Sequence, residues 1–213
     1  LELREYDENL QLKTDALDVY FFAEKLRFAC DMLSRNIVIK ADYESKELET
    51  FVGILENKIY NLKTVPAIET YLTLYYLLKN GSEFLYKSTL EVLKKYLGKF
   101  SSEETKIQFD YCVNYCIRQL NSGKSEWYRE FLDLHSFLLE NNIILINGIM
   151  SEWDYKNIVT VELRTEDLKW AESFIEKYRD YVPDNVRENA YSYNLASYYY
   201  ASGQYKKALH LLL

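Results

Sequence analysis

The sequence contains little proline, glycine, histidine or cysteine. Only 2 of its 213 residues are proline and 6 are glycine, where average usage gives roughly 10 and 15. Because tight turns and hairpin loops depend on these two residues, their scarcity argues against a β-sandwich and favours helices. Hydrophobic residues make up 48% of the chain and charged residues 28%, which predicts a folded, soluble protein rather than a disordered one.

Basic clusters and long apolar runs are missing as well. The 26 basic and 33 acidic residues leave a formal net charge of -7, and no cluster of Lys and Arg is long enough to bind a row of phosphates, so nucleic acid is not an expected partner. No apolar run approaches the roughly 20 residues that span a bilayer, which predicts that no segment crosses a membrane. We therefore expect a cytoplasmic protein. The chain begins at Leu1 without a methionine, so the sequence leaves open a signal or anchor ahead of it.

The three cysteines and two histidines offer few ligands and few catalytic groups. An odd number of cysteines with no framework spacing predicts reduced, buried thiols. Cys112 and Cys116 lie four residues apart and could begin a metal site if His135 on the next helix supplied a third ligand, but no fourth ligand is evident. The sequence also lacks a glycine-rich phosphate loop and a nucleophile elbow. It predicts no metal, no cofactor and no catalysis.

Apolar residues recur at helical spacing along the chain, and short polar breaks divide them into about ten segments. The first segment runs from Asp15, a plausible N-cap, to about Asn36. Its wide apolar stripe predicts a helix that is buried on more than one side. The stripe consists of Leu17, Tyr20, Phe21, Leu26, Phe28 and Leu33.

Several helix ends are marked by local signals. Pro66 is placed for the first turn of a helix that stops at Gly81. The pairs that have the form of an N-terminal cap are Ser101 with Glu104, Ser151 with Asp154, and Asn185 with Glu188. These signals divide the chain into five antiparallel helical hairpins at residues 13–62, 64–98, 101–141, 151–182 and 185–213. Since a helical hairpin cannot bury its apolar face alone, the five are predicted to stack in a single repeat array over residues 1–213.

The C-terminal hairpin resembles the tetratricopeptide repeat, whose pattern is W-x2-L-G-x2-Y followed by A-x3-F and a proline. The residues that carry the resemblance are Ser192, Leu195, Ala196, Tyr199, Gly203, Tyr205 and Ala208. The hairpin before it matches at Ala171, Ile175 and Pro183, while Ser192 and Glu162 depart from the aromatic residues of the pattern. The sequence of residues 152–213 is also similar to those of bacterial tetratricopeptide-type proteins. The resemblance implies an all-α fold, a right-handed superhelix of about five antiparallel hairpins.

The resemblance also implies a concave groove that is lined by the first helix of each hairpin. In ligand-binding members of the family, an asparagine before the conserved leucine holds an extended peptide, because an amide both donates and accepts hydrogen bonds. The same asparagines could instead join neighbouring helices, and the two roles are equally weighted. Lys156 and Arg164 offer cationic contacts for an acidic group. The predicted groove residues are Asn114, Lys156, Asn157, Thr160, Arg164, Tyr193, Asn194 and Tyr200, with Leu163 and Ser197 on the same faces.

The leading hypothesis is a scaffold or adaptor that binds a peptide or protein segment along this groove without catalysis of its own. One alternative is a helical ribonuclease of the HEPN type, since Arg129 and His135 fit its Arg-x4–6-His pattern. Another is a structural or regulatory repeat domain of a longer protein, with no peptide groove. The last hairpin ends at Leu211-Leu212-Leu213 without a polar capping helix, which predicts that it is an interior repeat of a longer array or an edge that another chain covers, including by self-association.

Overall fold

The computed structural model describes residues 2–44, 46–58, 62, 65–165 and 167–212, and these residues form ten α-helices. The helices are α1 (Glu2–Ile39), α2 (Lys46–Lys58), α3 (Pro66–Asn80), α4 (Glu83–Lys95), α5 (Ser102–Asn121), α6 (Trp127–Glu140), α7 (Glu152–Arg164), α8 (Leu168–Tyr178), α9 (Asp184–Ala201) and α10 (Tyr205–Leu212). Across these ranges, strand-like pairing is limited to an isolated antiparallel bridge between Ile146 and Ile149. The all-α fold class is therefore confirmed. No helix in the described part of the chain is both long enough and apolar enough to span a bilayer.

Helix α1 begins earlier than the sequence predicts. Asp15, the predicted N-cap, lies well inside the helix, where its Oδ1 accepts a hydrogen bond of 2.7 Å from the Gln11 amide one turn before it. Residues 2–14 contain good helix formers and neither glycine nor proline, so nothing in this stretch stops a helix. The prediction that Asp15 caps the start of this helix is therefore wrong.

Helix α1 is buried on one side rather than on several. Leu26 and Cys30 are fully buried on the side that packs against α3, and the Cys30 thiol donates to the Tyr71 carbonyl oxygen. Other members of the predicted stripe are more than half exposed, namely Leu17, Tyr20, Phe21 and Phe28. The predicted burial on more than one side is wrong, because the stripe is wider than the surface that the neighbouring helices cover.

Two of the predicted helix ends and one cap are confirmed in detail. Pro66 is the first residue of α3, where its missing N–H costs nothing. Gly81 ends α3 in the left-handed conformation with φ 59° and donates its N–H to the Leu77 carbonyl. Ser151 caps α7, since its Oγ accepts from the Asp154 N–H at 3.0 Å.

The predicted cap of α9 is wrong. The helix begins at Asp184 directly after Pro183, with no hydrogen bond from a capping side chain. Asn185 therefore lies inside the first turn. Glu188 does not reach back to a cap, because its carboxylate accepts a hydrogen bond of 2.7 Å from Arg179, in the single turn of 3-10 helix Arg179–Tyr181.

The chain divides into two compact units. Unit 1 comprises Leu1–Ser101 and Ile107–Cys112, and unit 2 comprises Ser102–Lys106 and Val113–Leu213. In unit 1, α3 packs against α1 and α4. The fully buried large side chains of unit 1 include Leu26, Leu55, Ile68, Leu74, Tyr75, Leu77 and Tyr86. That all the hairpins form one array stays a prediction.

In unit 2, helix α7 packs against α6, α8 and α9, and α9 packs against α10. The fully buried large side chains of unit 2 include Phe131, Leu138, Ile144 and Tyr155. The turn between α9 and α10 depends on Gly203, whose φ of 76° lies in the region that glycine adopts without strain. Ala196 and Ala208 are buried on these two helices, where small side chains permit close approach. Helix α7 thus packs against neighbours on several sides and has one face that these neighbours do not cover.

Candidate functional site

The face of α7 that remains open borders a cleft of about 490 Å³ in unit 2, which we call the α9 cleft. Its lining residues are Thr160, Leu163 and Arg164 from α7, Tyr193, Ala196, Ser197, Tyr200 and Ala201 from α9, and Ala208 and Leu212 from α10. Residues spaced three or four apart share a helix face, so Thr160, Leu163 and Arg164 reach the cleft together. Of the predicted groove residues, the cleft brings together Thr160, Arg164, Tyr193 and Tyr200.

A second cleft of about 350 Å³ lies beside the first one along α7, and we call it the α5 cleft. It is lined by Ile117, Leu120 and Asn121 from α5, Tyr128 and Phe131 from α6, and Asn157, Thr160, Val161 and Arg164 from α7. Thr160 and Arg164 line both clefts. The first helices of the last three predicted hairpins, α5, α7 and α9, therefore border two adjacent clefts that share Thr160 and Arg164.

Arg164 provides the positive charge of this surface. Its side chain is exposed, and Nη1 donates a hydrogen bond of 3.2 Å to the Tyr128 hydroxyl. Among the described residues no carboxylate lies within ion-pair distance of it, and no acidic residue lines either cleft. The guanidinium can therefore donate to a ligand carboxylate without first breaking an ion pair. Beside it, the α9 cleft offers mainly alanine, leucine and tyrosine surface.

Comparison with known proteins returned no match. No protein-family model, no curated protein and no solved structure matches the chain. The likeness of residues 152–213 to the tetratricopeptide repeat stays a prediction from the signature residues. The clefts are therefore interpreted from their own side chains.

Lys156 is a less available cation than the sequence suggests. Its Nζ lies 3.3 Å from the Glu152 carboxylate one turn earlier on α7. The same ammonium group lies 5.6 Å from the centre of the Trp153 ring and 5.5 Å from that of Tyr193. A carboxylate and two aromatic rings thus already stabilise this charge. Lys156 does not line the α9 cleft itself but contacts Tyr193, which does. Arg164 is the cation that lines the cleft.

The three asparagines among the predicted groove residues have different environments. Asn194 is completely buried, and its Nδ2 donates a hydrogen bond of 3.2 Å to the Tyr155 carbonyl oxygen, which joins α9 to α7. This is the helix-joining role that the sequence left open. Asn157 is half-buried and lines the α5 cleft. Asn114 is half-buried on α5 and lines neither cleft.

Replacing Asn194 with alanine is expected to lower the free energy of unfolding by about 2 kcal/mol, because the buried Tyr155 carbonyl loses a donor. Binding to the clefts by the residual folded protein should be unchanged. Urea denaturation measures the first effect. Asn157→Ala is the matched control, and it should change stability by less than about 0.5 kcal/mol, as is usual for a side chain outside the core. Equal loss of stability in both variants would contradict the distinction.

Sequence reasoning missed the parts of the clefts that come from other helices. Tyr128 on α6, and Ala208 and Leu212 on α10, are lining residues outside the predicted set. The spacing of Ala208 and Leu212, four residues apart, indicates that they share a face. Which face of α10 turns towards α7 depends on how α10 packs on α9, and no local pattern carries that information.

Arg129 and His135, the pair that suggested a ribonuclease, are not brought together. They lie six residues apart on α6, which places them about 120° apart around the helix. The Arg129 side chain is 89% exposed and lies 3.7 Å from the Asp133 carboxylate. His135 is only 1% exposed. An RNA strand that contacts Arg129 would not reach this imidazole.

His135 belongs to a buried polar cluster in unit 2. Its Nδ1 lies 2.9 Å from the Phe131 carbonyl oxygen and its ring stacks on the Phe131 ring. Burial lowers the pKa of His135 to about 4, while the nearby Asp154 carboxylate opposes this shift and the Lys106 ammonium adds to it. Lys106 and Asp154 form an ion pair at 3.1 Å, with side chains 11% and 9% exposed. The Ser151 hydroxyl donates to the same carboxylate at 2.7 Å.

The described residues offer no evident metal site. Cys30, Cys112 and Cys116 are buried thiols, as predicted. Within the described ranges, no group of three or more His, Cys, Asp or Glu side chains is arranged to hold a metal ion. The two clefts beside α7 are the candidate site, because five of the eight predicted groove residues, Asn157, Thr160, Arg164, Tyr193 and Tyr200, line them.

Proposed function

We propose that the protein is an interaction scaffold that binds a peptide or protein segment along the α9 and α5 clefts, without catalysis of its own. The observation that carries the proposal is the combination of the exposed Arg164 guanidinium with the apolar surface of the α9 cleft. Ligand sites in proteins typically combine an apolar lining with a few polar groups that fix orientation. A segment with a carboxylate next to a bulky apolar side chain fits this surface best.

The extent of the surface favours a segment over a compact small molecule. The two clefts share Thr160 and Arg164, so a ligand that begins in one can continue into the other. The hydroxyls of Thr160 and Ser197 and the amide of Asn157 are polar groups along this path. Both hydroxyls donate to carbonyls of their own helices and can accept from a peptide N–H, while the Asn157 amide can both donate and accept, whatever the side chains of the peptide are.

A tetratricopeptide-like array explains why the clefts lie where they do. We propose that the hairpins stack as a right-handed superhelix, with α5, α7 and α9 as the first helices of consecutive repeats. The packing of α7 against both α8 and α9 supports this, since each repeat of such an array contacts its own second helix and the next repeat. The alanines and Gly203 of the last hairpin fill the small-residue places of the repeat pattern.

Selection from a random peptide library displayed on phage tests the binding. We expect enrichment of peptides that carry Asp, Glu or a free C-terminus next to Leu, Phe or Tyr. Arg164→Glu should weaken the selected peptides at least about tenfold, since a charge-assisted hydrogen bond is lost and a repulsion is added. Affinities are measured by fluorescence anisotropy with synthetic peptides.

Arg129→Glu is the matched control, because it makes the same charge change at an exposed arginine that lines neither cleft. It should leave the affinity unchanged. Ala201→Trp, which fills the α9 cleft from an exposed position, should weaken binding as Arg164→Glu does. A library that yields no enriched peptide, or equal binding by the Arg164 and Arg129 variants, would contradict the proposed function.

A further inference from the structure

Helix α1 in unit 1 carries an apolar stripe that the described residues leave largely uncovered, apart from an edge-to-face contact between Phe21 and the Phe51 ring of α2, with 5.9 Å between ring centres. Leu10, Leu17, Phe21 and Phe28 are each more than half exposed. At 100° per residue, these four positions fall within about 40° of one another around the helix. Residues 9–18 are exposed at every position, so this part of the helix is not packed against any other part of the chain that the structure describes. An isolated helix of this length is marginal in water, which makes a packing partner the expected source of its stability.

The spacing of the stripe identifies the kind of partner. Leu10 and Leu17 are seven residues apart, and so are Phe21 and Phe28. With Thr14 and Glu24 between them, the positions alternate in steps of four and three, which is the repeat of a two-helix coiled coil. The side that packs on α3, with Leu26 and Cys30, lies on the other side of α1. A helix can therefore pack on the stripe and leave the α3 side of α1 untouched, with Phe21 lying between it and Phe51 of α2.

The charges beside the stripe are complementary to those of a second copy of the same helix. Lys13 and Asp18 flank the stripe on opposite sides, both on the exposed part of α1. In a parallel coiled coil, the residue directly before a stripe position such as Thr14 faces the residue five positions later in the partner helix. Lys13 of each copy then meets Asp18 of the other copy. Glu24 on the stripe is already paired with Arg27 of its own helix at 2.7 Å.

The antiparallel arrangement has the opposite charge pattern. If Leu10 faced Phe28 of the second copy, Asp18 would lie beside Asp18 and Lys13 beside Arg27 of that copy. Like charges at these flanking positions destabilise a coiled coil and select against the arrangement. The flanking charges of α1 thus favour the parallel pair, in which each Glu24 keeps its ion pair with Arg27 of its own helix.

We propose that the protein forms a homodimer through a parallel coiled coil of two α1 helices, centred on Leu10, Leu17, Phe21 and Phe28. The interface extends about 27 Å along the helix, since each residue adds about 1.5 Å. It is separate from the α9 and α5 clefts of unit 2 and does not depend on the proposed function. It is also separate from the predicted association through the C-terminal hairpin.

Sedimentation equilibrium of the 213-residue chain over a range of concentrations tests the dimer. Leu17→Glu should raise the dissociation constant at least about tenfold, because it places two carboxylates at the centre of the interface. Leu12→Glu is the matched control, since both leucines are 68% exposed on α1 but Leu12 lies off the stripe. It should leave the dissociation constant unchanged. Circular dichroism should show the wild-type helix content for Leu12→Glu and a small loss for Leu17→Glu, because residues 9–18 of α1 then lack a packing partner.

Charge exchange and crosslinking test the orientation. Asp18→Lys should weaken the dimer, and adding Lys13→Asp to it should restore the affinity. Leu10→Cys should form a disulfide-linked dimer on oxidation, because the parallel pair brings the two cysteines together, while the antiparallel pair separates them by about 27 Å. A chain that is monomeric at every concentration overturns the proposal. So does a dimer that Leu17→Glu leaves intact, or one in which Leu10→Cys does not crosslink.

Discussion

Replacing Asp154 with alanine is expected to lower the free energy of unfolding of unit 2 by about 4 kcal/mol, the largest effect of a single substitution that we predict. The Asp154 carboxylate lies 3.1 Å from the Lys106 ammonium in a part of unit 2 where both side chains are almost completely buried. Without it, a buried cation loses the carboxylate that offsets its desolvation. The Ser151 hydroxyl loses an acceptor at the same time.

Tryptophan fluorescence during urea denaturation measures this effect in unit 2 alone. All three tryptophans of the chain, Trp127, Trp153 and Trp170, lie in that unit. The Asp154→Ala, Lys106→Met double variant should be more stable than Asp154→Ala, because it removes both charges of the pair.

The control for this prediction is Glu152→Ala, two residues earlier on the same helix. It breaks the partly exposed ion pair between Glu152 and Lys156, which should cost less than about 1 kcal/mol. If Asp154→Ala and Glu152→Ala lowered the stability equally, the buried pair would contribute no more than a surface pair does.

Lowering the pH from about 6.5 to about 4 is expected to remove about 3 kcal/mol of stability from unit 2 through His135 alone. Burial lowers the pKa of this imidazole from 6.5 to about 4. In the unfolded chain it binds a proton below about pH 6.5, whereas in the folded protein it stays neutral until about pH 4. The unfolded state therefore binds more protons in this window, and stability falls as the pH falls. Above pH 6.5 the full contribution is present.

Substitution of the two histidines of the chain separates this effect from the titration of carboxylates. His135→Leu should abolish the histidine part of the pH dependence between pH 6.5 and 4. His210→Gln should leave it unchanged, because His210 is exposed. The measurement is the free energy of unfolding by urea at several pH values, followed by tryptophan fluorescence. Identical pH profiles for wild type and His135→Leu would show that the buried imidazole protonates without cost.

Much of the helical framework follows from the sequence. The scarcity of proline and glycine, together with helical spacing of apolar residues, predicts an all-α fold. Pro66, Gly81 and Ser151 mark helix ends because each acts on the backbone within its own turn. Asp15 and Asn185 fail as caps because a capping residue needs a helix to begin beside it. The uninterrupted helix formers before Asp15, and Pro183 before Asp184, place the two starts elsewhere.

The candidate site was partly predictable for the same reason. The repeat register places Thr160 and Arg164 on one face of α7, and Tyr193 and Tyr200 on one face of α9, and all four line the α9 cleft. Register reports which side chains share a face. It does not indicate whether a side chain is buried or exposed, so the buried Asn194 and the exposed Arg164 were both predicted to line the groove.

Local sequence patterns are enough to predict that the chain is helical, where several helices end and which side chains share a face, since each of these depends on residues a few positions apart. Tertiary structure alone decided which of those faces are covered. It buried His135, Lys106 and Asp154 in unit 2, although polar residues are usually exposed, and left the stripe of α1 open, although its leucines and phenylalanines are usually buried. Burial depends on contacts between residues far apart in the chain, and no local pattern records them.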